Sequence, residues 1–215
     1  MMKGYFITFE GTDGSGKTSV IKEVEKHFKS LGYQVLVTRE PGGIRISEKI
    51  RDILLGREYP EMDSRTEALL FAASRRQHLV EKILPALESN IVVLCDRYVD
   101  SSLVYQGIAR GLGIDEVYEI NRFAIEEHLP DLTVFVDVTP EVALARVFRN
   151  ENREVNRLDL ETKNFHDMTY QGYQTLLKKF PNRIVAINGD DTIENVSKAA
   201  IQVIESKLSK MDGLK

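Results

Sequence analysis

The chain has 215 residues, a formal net charge of −4, 42% hydrophobic and 29% charged residues, and one cysteine. That length supports one sizeable core, and the acidic balance excludes a large nucleic-acid footprint. The lone thiol, Cys95, excludes an internal disulfide and a cysteine metal cluster; it closes an apolar run and is expected to be buried. No apolar run reaches the roughly 18 residues of a membrane span. Met1 to Gly4 lacks a signal-peptide profile, so no membrane partner is expected and the default address is cytoplasmic.

Taken in order, a β-prone run, Tyr5 to Phe9, leads into Gly11-Thr-Asp-Gly-Ser-Gly-Lys17-Thr18, which fits the phosphate-loop pattern GxxxxGK[ST] at every fixed position. A helix is expected from Thr18 to Ser30, so the loop sits at the strand-to-helix junction that phosphate binding requires. Gly11, Thr12, Asp13, Gly14, Ser15 and Gly16 then turn backbone N–H groups toward phosphate oxygens, Lys17 reaches the β- and γ-phosphates, and Thr18 offers its hydroxyl to Mg²⁺. A dinucleotide fingerprint fails, because Ser19 stands where its third glycine belongs.

Further strands are expected at Gln34 to Thr38, Ile91 to Cys95, Leu132 to Val138 and Arg183 to Asn188, with helical segments between them. Strands alternating with helices imply an α/β fold with a five-stranded parallel sheet flanked by helices. Residues 1–208 read as a single domain and 209–215 as a frayed tail. Ligands bind beyond the carboxyl ends of such strands, which makes the residues after each strand candidates for the site.

After the second strand, Arg39-Glu40-Pro41-Gly-Gly43 fixes a turn on that side, and a short helix, Ser47 to Leu55, carries Arg51. A long helix is expected from Ser64 to about Leu87, distorted near Pro85. Its core stripe is read as Leu69, Ala73, Val80, Ile83, Leu84 and Leu87, with Arg76 falling inside it and needing a snorkel or a buried partner. Phe71, Arg75, Ser74 and His78 are placed on the opposite face, where an aromatic beside fixed donors suits a flat, polar-edged ligand.

The third strand ends in Asp96-Arg97: an acid after an apolar run fits a Mg²⁺ ligand, and an arginine beside it fits a bidentate grip on phosphate. Ser101, Ser102, Tyr105 and Gln106 open the next helix at a spacing that lines one pocket. The helix from Pro140 carries Arg146 and Arg149, and the polar segment at about 148–158, with Arg153 and Arg157, reads as a lid over triphosphate. Phe165 to Phe180 and Thr192 to Leu208 are covering helices.

FEGTDGSGKT, TREPGG, LLFAASRRQH, CDRYVDSSLVYQG and RNENREVNRLD resemble bacterial thymidylate kinases in order and spacing, from Lys3 to about Leu208. The resemblance implies a phosphate-loop nucleoside monophosphate kinase fold and transfer of the ATP γ-phosphoryl group to dTMP, with Mg²⁺, in a homodimer that supplies dTTP synthesis. It implies that Asp13 contacts the sugar 3′-hydroxyl, that Phe71 stacks on thymine and that Arg75 binds a base carbonyl. Ser102 and Gln106 would face the base edge, and Tyr105 would crowd the 2′ position. Arg51 and Arg97 would hold the monophosphate beside Arg39, Glu40 and Pro41, and Asp96 would organise Mg²⁺. Some members carry a basic residue inside the phosphate loop; here that position is Gly14, which implies the subgroup with a basic lid and turns attention to Arg153 and Arg157 as catalytic, beside Lys17, Asp96 and Arg97. A kinase for another nucleoside monophosphate, or a nucleotide-dependent switch, are the alternatives; the guanine-reading NKxD of switch GTPases does not occur.

Overall fold

A computed structural model describes residues 4–149 and 156–212. Five parallel strands, β1 (Phe6–Glu10), β2 (Val35–Arg39), β3 (Val92–Asp96), β4 (Leu132–Asp137) and β5 (Ile184–Asn188), form one sheet in the order β2-β3-β1-β4-β5. The expected strands all form, each within a residue of its expected bounds. β1 lies between β3 and β4, with Phe9 opposite both Asp96 and Val134, so the chain leaves the central strand straight into the phosphate loop.

Both sheet faces are covered, which is why the strand sequences are continuous apolar runs. Tyr5, Ile7, Phe9, Leu94 and Val134 pack under α1 (Lys17–Ser30) and the C-terminal helix α9 (Ile193–Asp212). Phe6, Val93 and Cys95 face the other layer, built by α3 (Ser64–His78) after α2 (Arg45–Leu55). Cys95 is fully buried, and burial pushes its thiol pKa up. α9 continues through Ser209 to Asp212, where a frayed tail was expected, because Ile204 and Leu208 bury its inner face against the sheet.

α3 runs on through a π-helical segment, Leu79–Ile83, into α4 (Leu84–Glu88). The expected distortion is this π turn, placed just ahead of Pro85, whose missing N–H breaks the regular ladder. The expected core stripe holds beyond α3, where Ile83 is buried and Leu84 and Leu87 pack against the same core, but within α3 it is reversed. Leu69 is 55% exposed and Ala73 is exposed, whereas Phe71, Arg75 and His78 are buried. The inward face is held by charge pairing as much as by apolar contact. Arg76 is partly exposed, donating to the Ala124 carbonyl and pairing with Glu126 at 2.9 Å.

Beyond β3 come α5 (Val99–Ser102), a π-helical segment Leu103–Ala109 and α6 (Ile114–Ile125). α7 (Pro140–Arg149) follows β4, and α8 (Lys163–Lys179) precedes β5. Of the expected lid at about 148–158, residues 150–155, Arg153 among them, lie outside the described residues.

Candidate active site

The carboxyl ends of β1, β2 and β3 open into a cleft of about 950 Å³ that reaches α2, α3 and α7. Gly11, Gly14 and Gly16 all take positive φ at its floor, the conformations that let the loop wrap its N–H groups inward. Lys17 Nζ donates to the Gly11 and Thr12 carbonyls at 3.1 and 3.0 Å, so the ammonium is folded into the loop itself. Burial, and then the nearby Arg97 charge, lower its pKa to about 8. Gly14 is closed in from above: a Cβ there would lie 2.1 Å from the Ala143 carbonyl oxygen of α7.

Thr18, one residue into α1, donates its hydroxyl to Asp96 Oδ2 at 2.9 Å, joining the first turn of α1 to the end of β3. A hydroxyl beside a carboxylate at the mouth of a phosphate loop is the hard-oxygen pair that suits Mg²⁺. Among the described residues no group of three or more His, Cys, Asp or Glu could hold a metal ion.

Arg97 follows Asp96 and is a non-glycine residue at φ 69°. Such strain persists only where surroundings over-determine it, and here they do. Its guanidinium pairs with Asp13 at 3.1 Å and donates to Ser101 Oγ at 2.9 Å, to Tyr173 Oη at 3.2 Å and to Tyr105 Oη at 3.2 Å. Behind it, Glu10 accepts from Ser101 Oγ at 2.6 Å, Tyr173 Oη at 2.9 Å and the Tyr98 N–H at 2.8 Å. Burial first, and Asp100 next, raise the Glu10 pKa. For Arg97 burial works against the charge, and Asp13 and the surrounding acids outweigh it, raising its pKa.

The far end of the cleft is polar and rigid. Arg75 is 2% exposed and donates to Glu40 at 2.8 Å, Ser102 Oγ at 3.0 Å, the Tyr98 carbonyl at 3.0 Å and Asn121 Oδ1. Glu40 also faces His78 Nδ1 at 3.0 Å. Phe71, Ser102, Tyr105 and Gln106 line the same region. Arg51, half-buried, donates to the Pro41 carbonyl at 2.9 Å, and burial lowers its pKa ahead of the neighbouring Arg39. Arg39 is turned outward onto Glu48 at 3.0 Å, though it still borders the cleft.

The structure thus brings together the loop, Asp96, Arg97, Arg51, Phe71, Arg75, Ser102, Tyr105 and Gln106. It sets Arg157 apart. That guanidinium binds Glu67 and the Leu54 carbonyl, and its backbone N–H donates to the Leu55 carbonyl, so it is anchored on α2 and α3 rather than aimed at the phosphate loop. Arg146 borders the cleft, tied to the Gly189 carbonyl and Asp190. Sequence reasoning missed Glu10, Asn121 and Tyr173. Glu10 carried a signal, as the last residue of β1 just ahead of the loop; the other two lie on helices far along the chain and show only through their contacts.

The thymidylate kinase family model matches residues 9–200. The chain belongs to the thymidylate kinase family. Among its relatives, thymidylate kinase of Bacillus cytotoxicus is 56% identical, covering 96% of this chain and all of the relative, and that of Geobacillus thermodenitrificans is 54% identical over all of this chain and 94% of the relative. A crystal structure of thymidylate kinase from Ehrlichia chaffeensis superposes with a TM-score of 0.78 at 30% identity, covering 94% of this chain and 99% of that one. The five-stranded parallel sheet with its phosphate loop is therefore the family's fold. No helix of the described residues is long and apolar enough to cross a membrane.

Proposed function

We propose that this cleft binds ATP along the loop 11–18 and dTMP between Arg97 and Phe71, and that Mg²⁺ sits at Thr18 and Asp96. The reaction is transfer of the γ-phosphoryl group to the 5′-phosphate of dTMP, giving dTDP and ADP, in cytoplasmic dTTP synthesis. The observation that carries this reading is the 2.9 Å contact of Thr18 with Asp96, two residues far apart in sequence that meet at the mouth of the phosphate loop. The acceptor phosphate is already nucleophilic as a dianion, so the protein's work is positioning and charge neutralisation. Thr18 and Asp96 would hold Mg²⁺, which would supply positive charge to offset that of the phosphates. Lys17 and Arg97 flank the transferred group, and Arg97 reaches that point because Asp13, Ser101, Tyr105 and Tyr173 fix its guanidinium. Phe71 offers a face to the base, Arg75 a donor to a base carbonyl, and Tyr105 closes the sugar's 2′ side. With Gly14 walled in by Ala143, no basic side chain fits in the loop, which supports the subgroup that supplies arginine from the lid.

Residues 1–208 act as one catalytic domain, and two copies associate. The support for association is an apolar face on three adjoining helices: Ile46 and Ile53 of α2, Leu69 of α3 and Phe123 of α6, which is 90% exposed. ADP release with Mg-ATP and separate dTMP, dUMP, dCMP, dGMP and AMP tests the substrate reading; turnover concentrated on dTMP and abolished by EDTA is expected. Equal turnover on AMP or dGMP would overturn the pocket assignment, and EDTA-resistant turnover the metal assignment.

A further inference from the structure

Gln106 is buried, and its Nε2 donates to Glu67 Oε1 at 2.9 Å. Glu67 lies on α3, is 1% exposed and is outside the lining of the cleft. It accepts further bonds from Arg110 at 3.2 Å and from Arg157. Burial alone would raise its pKa; the bonds from Arg110, Gln106 and Arg157 outweigh it and lower the pKa, so the group is a carboxylate. A carboxylate only accepts. The amide of Gln106 therefore has one permitted orientation, nitrogen toward Glu67 and oxygen away from it. Among the described residues no donor reaches that oxygen, and Gln106 lines the cleft.

Its neighbour in the cleft has the opposite polarity. Arg75 only donates; Ser102, one turn ahead of Gln106, accepts from its Nη1 at 3.0 Å, and all three line the cleft. A donor next to an acceptor matches a carbonyl next to a ring N–H, the imide edge of thymine or uracil. Cytosine presents the reverse, an amino donor next to a ring-nitrogen acceptor.

We infer that Glu67 is a specificity-determining positioning residue, which selects imide pyrimidines without touching them by fixing the polarity of the Gln106 amide. The inference rests on the reading that Arg75 and Gln106 face the base. Its consequence for a variant follows from the four bonds on the carboxylate. In Glu67→Gln the carbonyl stays at the Oε2 position, which faces two guanidinium groups, so the new NH₂ occupies the Oε1 position, which faces Gln106 and the single Nε–H of Arg110. Gln106 must then turn its own oxygen toward that NH₂ and its nitrogen toward the base.

The test is kcat/KM for dTMP and dCMP in the wild type, Glu67→Gln, Gln106→Leu and the double variant. Glu67→Gln is expected to lower the dTMP-to-dCMP ratio about tenfold, the value of one neutral hydrogen bond, mainly through KM. In the Gln106→Leu background the same substitution should change the ratio less than twofold, because the group it acts through is gone. A purely structural role would lower both substrates together and act equally in both backgrounds, which would overturn the inference. If Gln106→Leu itself leaves the ratio unchanged, the base-facing reading fails instead. Should Glu67→Gln not fold, amide exchange in the wild type decides: the Gln106 NH₂ protons, assigned by their loss in Gln106→Leu, should exchange slowly without nucleotide, and exchange at the free-solvent rate would refute the fixed orientation.

Discussion

Gly14→Ala tests the closest contact in the site. Gly14 has φ 85°, and its added Cβ would sit 2.1 Å from the Ala143 carbonyl oxygen and 2.9 Å from Val147 Cγ2. The left-handed conformation costs an alanine about 1–2 kcal/mol. An ordinary carbon-to-oxygen approach is about 3.3 Å, so the loop or α7 must retreat by about 1 Å, an overpacking cost of about 1–3 kcal/mol. Together these give about 2–5 kcal/mol, and at about 2–4 °C per kcal/mol for a chain of this size the melting temperature should fall about 4–20 °C. Moving the loop by that distance should lower kcat/KM for ATP about a hundredfold. Gly16→Ala is the internal comparison: φ is 94° there too, but the added Cβ meets no atom of the described residues within 4 Å. It should lose only the conformational part, about 1–2 kcal/mol. Scanning fluorimetry and a coupled ADP assay read both variants. Equal melting temperatures for the two, or a Gly14→Ala protein with wild-type kcat/KM for ATP, would refute the close seating of α7 on the loop.

Because burial and Arg97 lower the Lys17 pKa to about 8, the affinity of a fluorescent ATP analogue should be flat below that pH and weaken about tenfold per unit above it; constant affinity to pH 9 would count against Lys17 as the phosphate ligand. The stability linkage has the opposite sense: the folded state releases this proton before the unfolded chain does, so the Lys17 contribution to stability rises between about 8 and the ordinary value of 10.5. Asp100 is fully buried and takes two bonds from Arg183, at 2.6 and 2.7 Å, plus one from Thr133, so Asp100→Asn should cost about 3–5 kcal/mol in urea unfolding; a loss below 1 kcal/mol would mean the pair is hydrated. Phe123→Glu and Leu69→Glu should shift the sedimenting species from dimer to monomer, and unchanged dimers would place the interface elsewhere.

The sheet was legible because its strands are short apolar runs ending in polar residues, and the loop because its glycines and lysine have fixed spacing. The loop end of the cleft was legible for the same reason: Asp96 closes β3 and Arg97 follows it, and rules about strand ends apply to both. The supports behind that end were not. Glu10, Ser101 and Tyr173 form one hydrogen-bonded set from three distant segments, and nothing local marks a tyrosine on α8 as the partner of an arginine after β3. The pairing of Arg157 was hidden for a related reason. Its sequence neighbourhood is polar and aperiodic, but its charge is satisfied by Glu67, ninety residues earlier.

The reversal of α3 has a physical cause. Hydrophobic periodicity records which face is kept from water, whatever covers it. Leu69 and Ala73 form such a face, yet the monomer leaves it open beside Ile53 and Phe123. The face turned to the sheet instead carries Glu67, Arg75 and His78, and each is matched: Glu67 by Arg110 and Arg157, Arg75 and His78 by Glu40. A buried face built from paired polar and charged groups costs desolvation that an apolar face would not, and it is kept where geometry is worth that cost. Here the paired groups fix Arg75 and Gln106 at the cleft. One helix therefore serves two surfaces: its charged side fixes Arg75 and Gln106 at the cleft, and its apolar side is the face proposed above for association. Substitutions on the two sides should separate accordingly, with Leu69→Glu acting first on assembly and Glu67→Gln first on the choice of base.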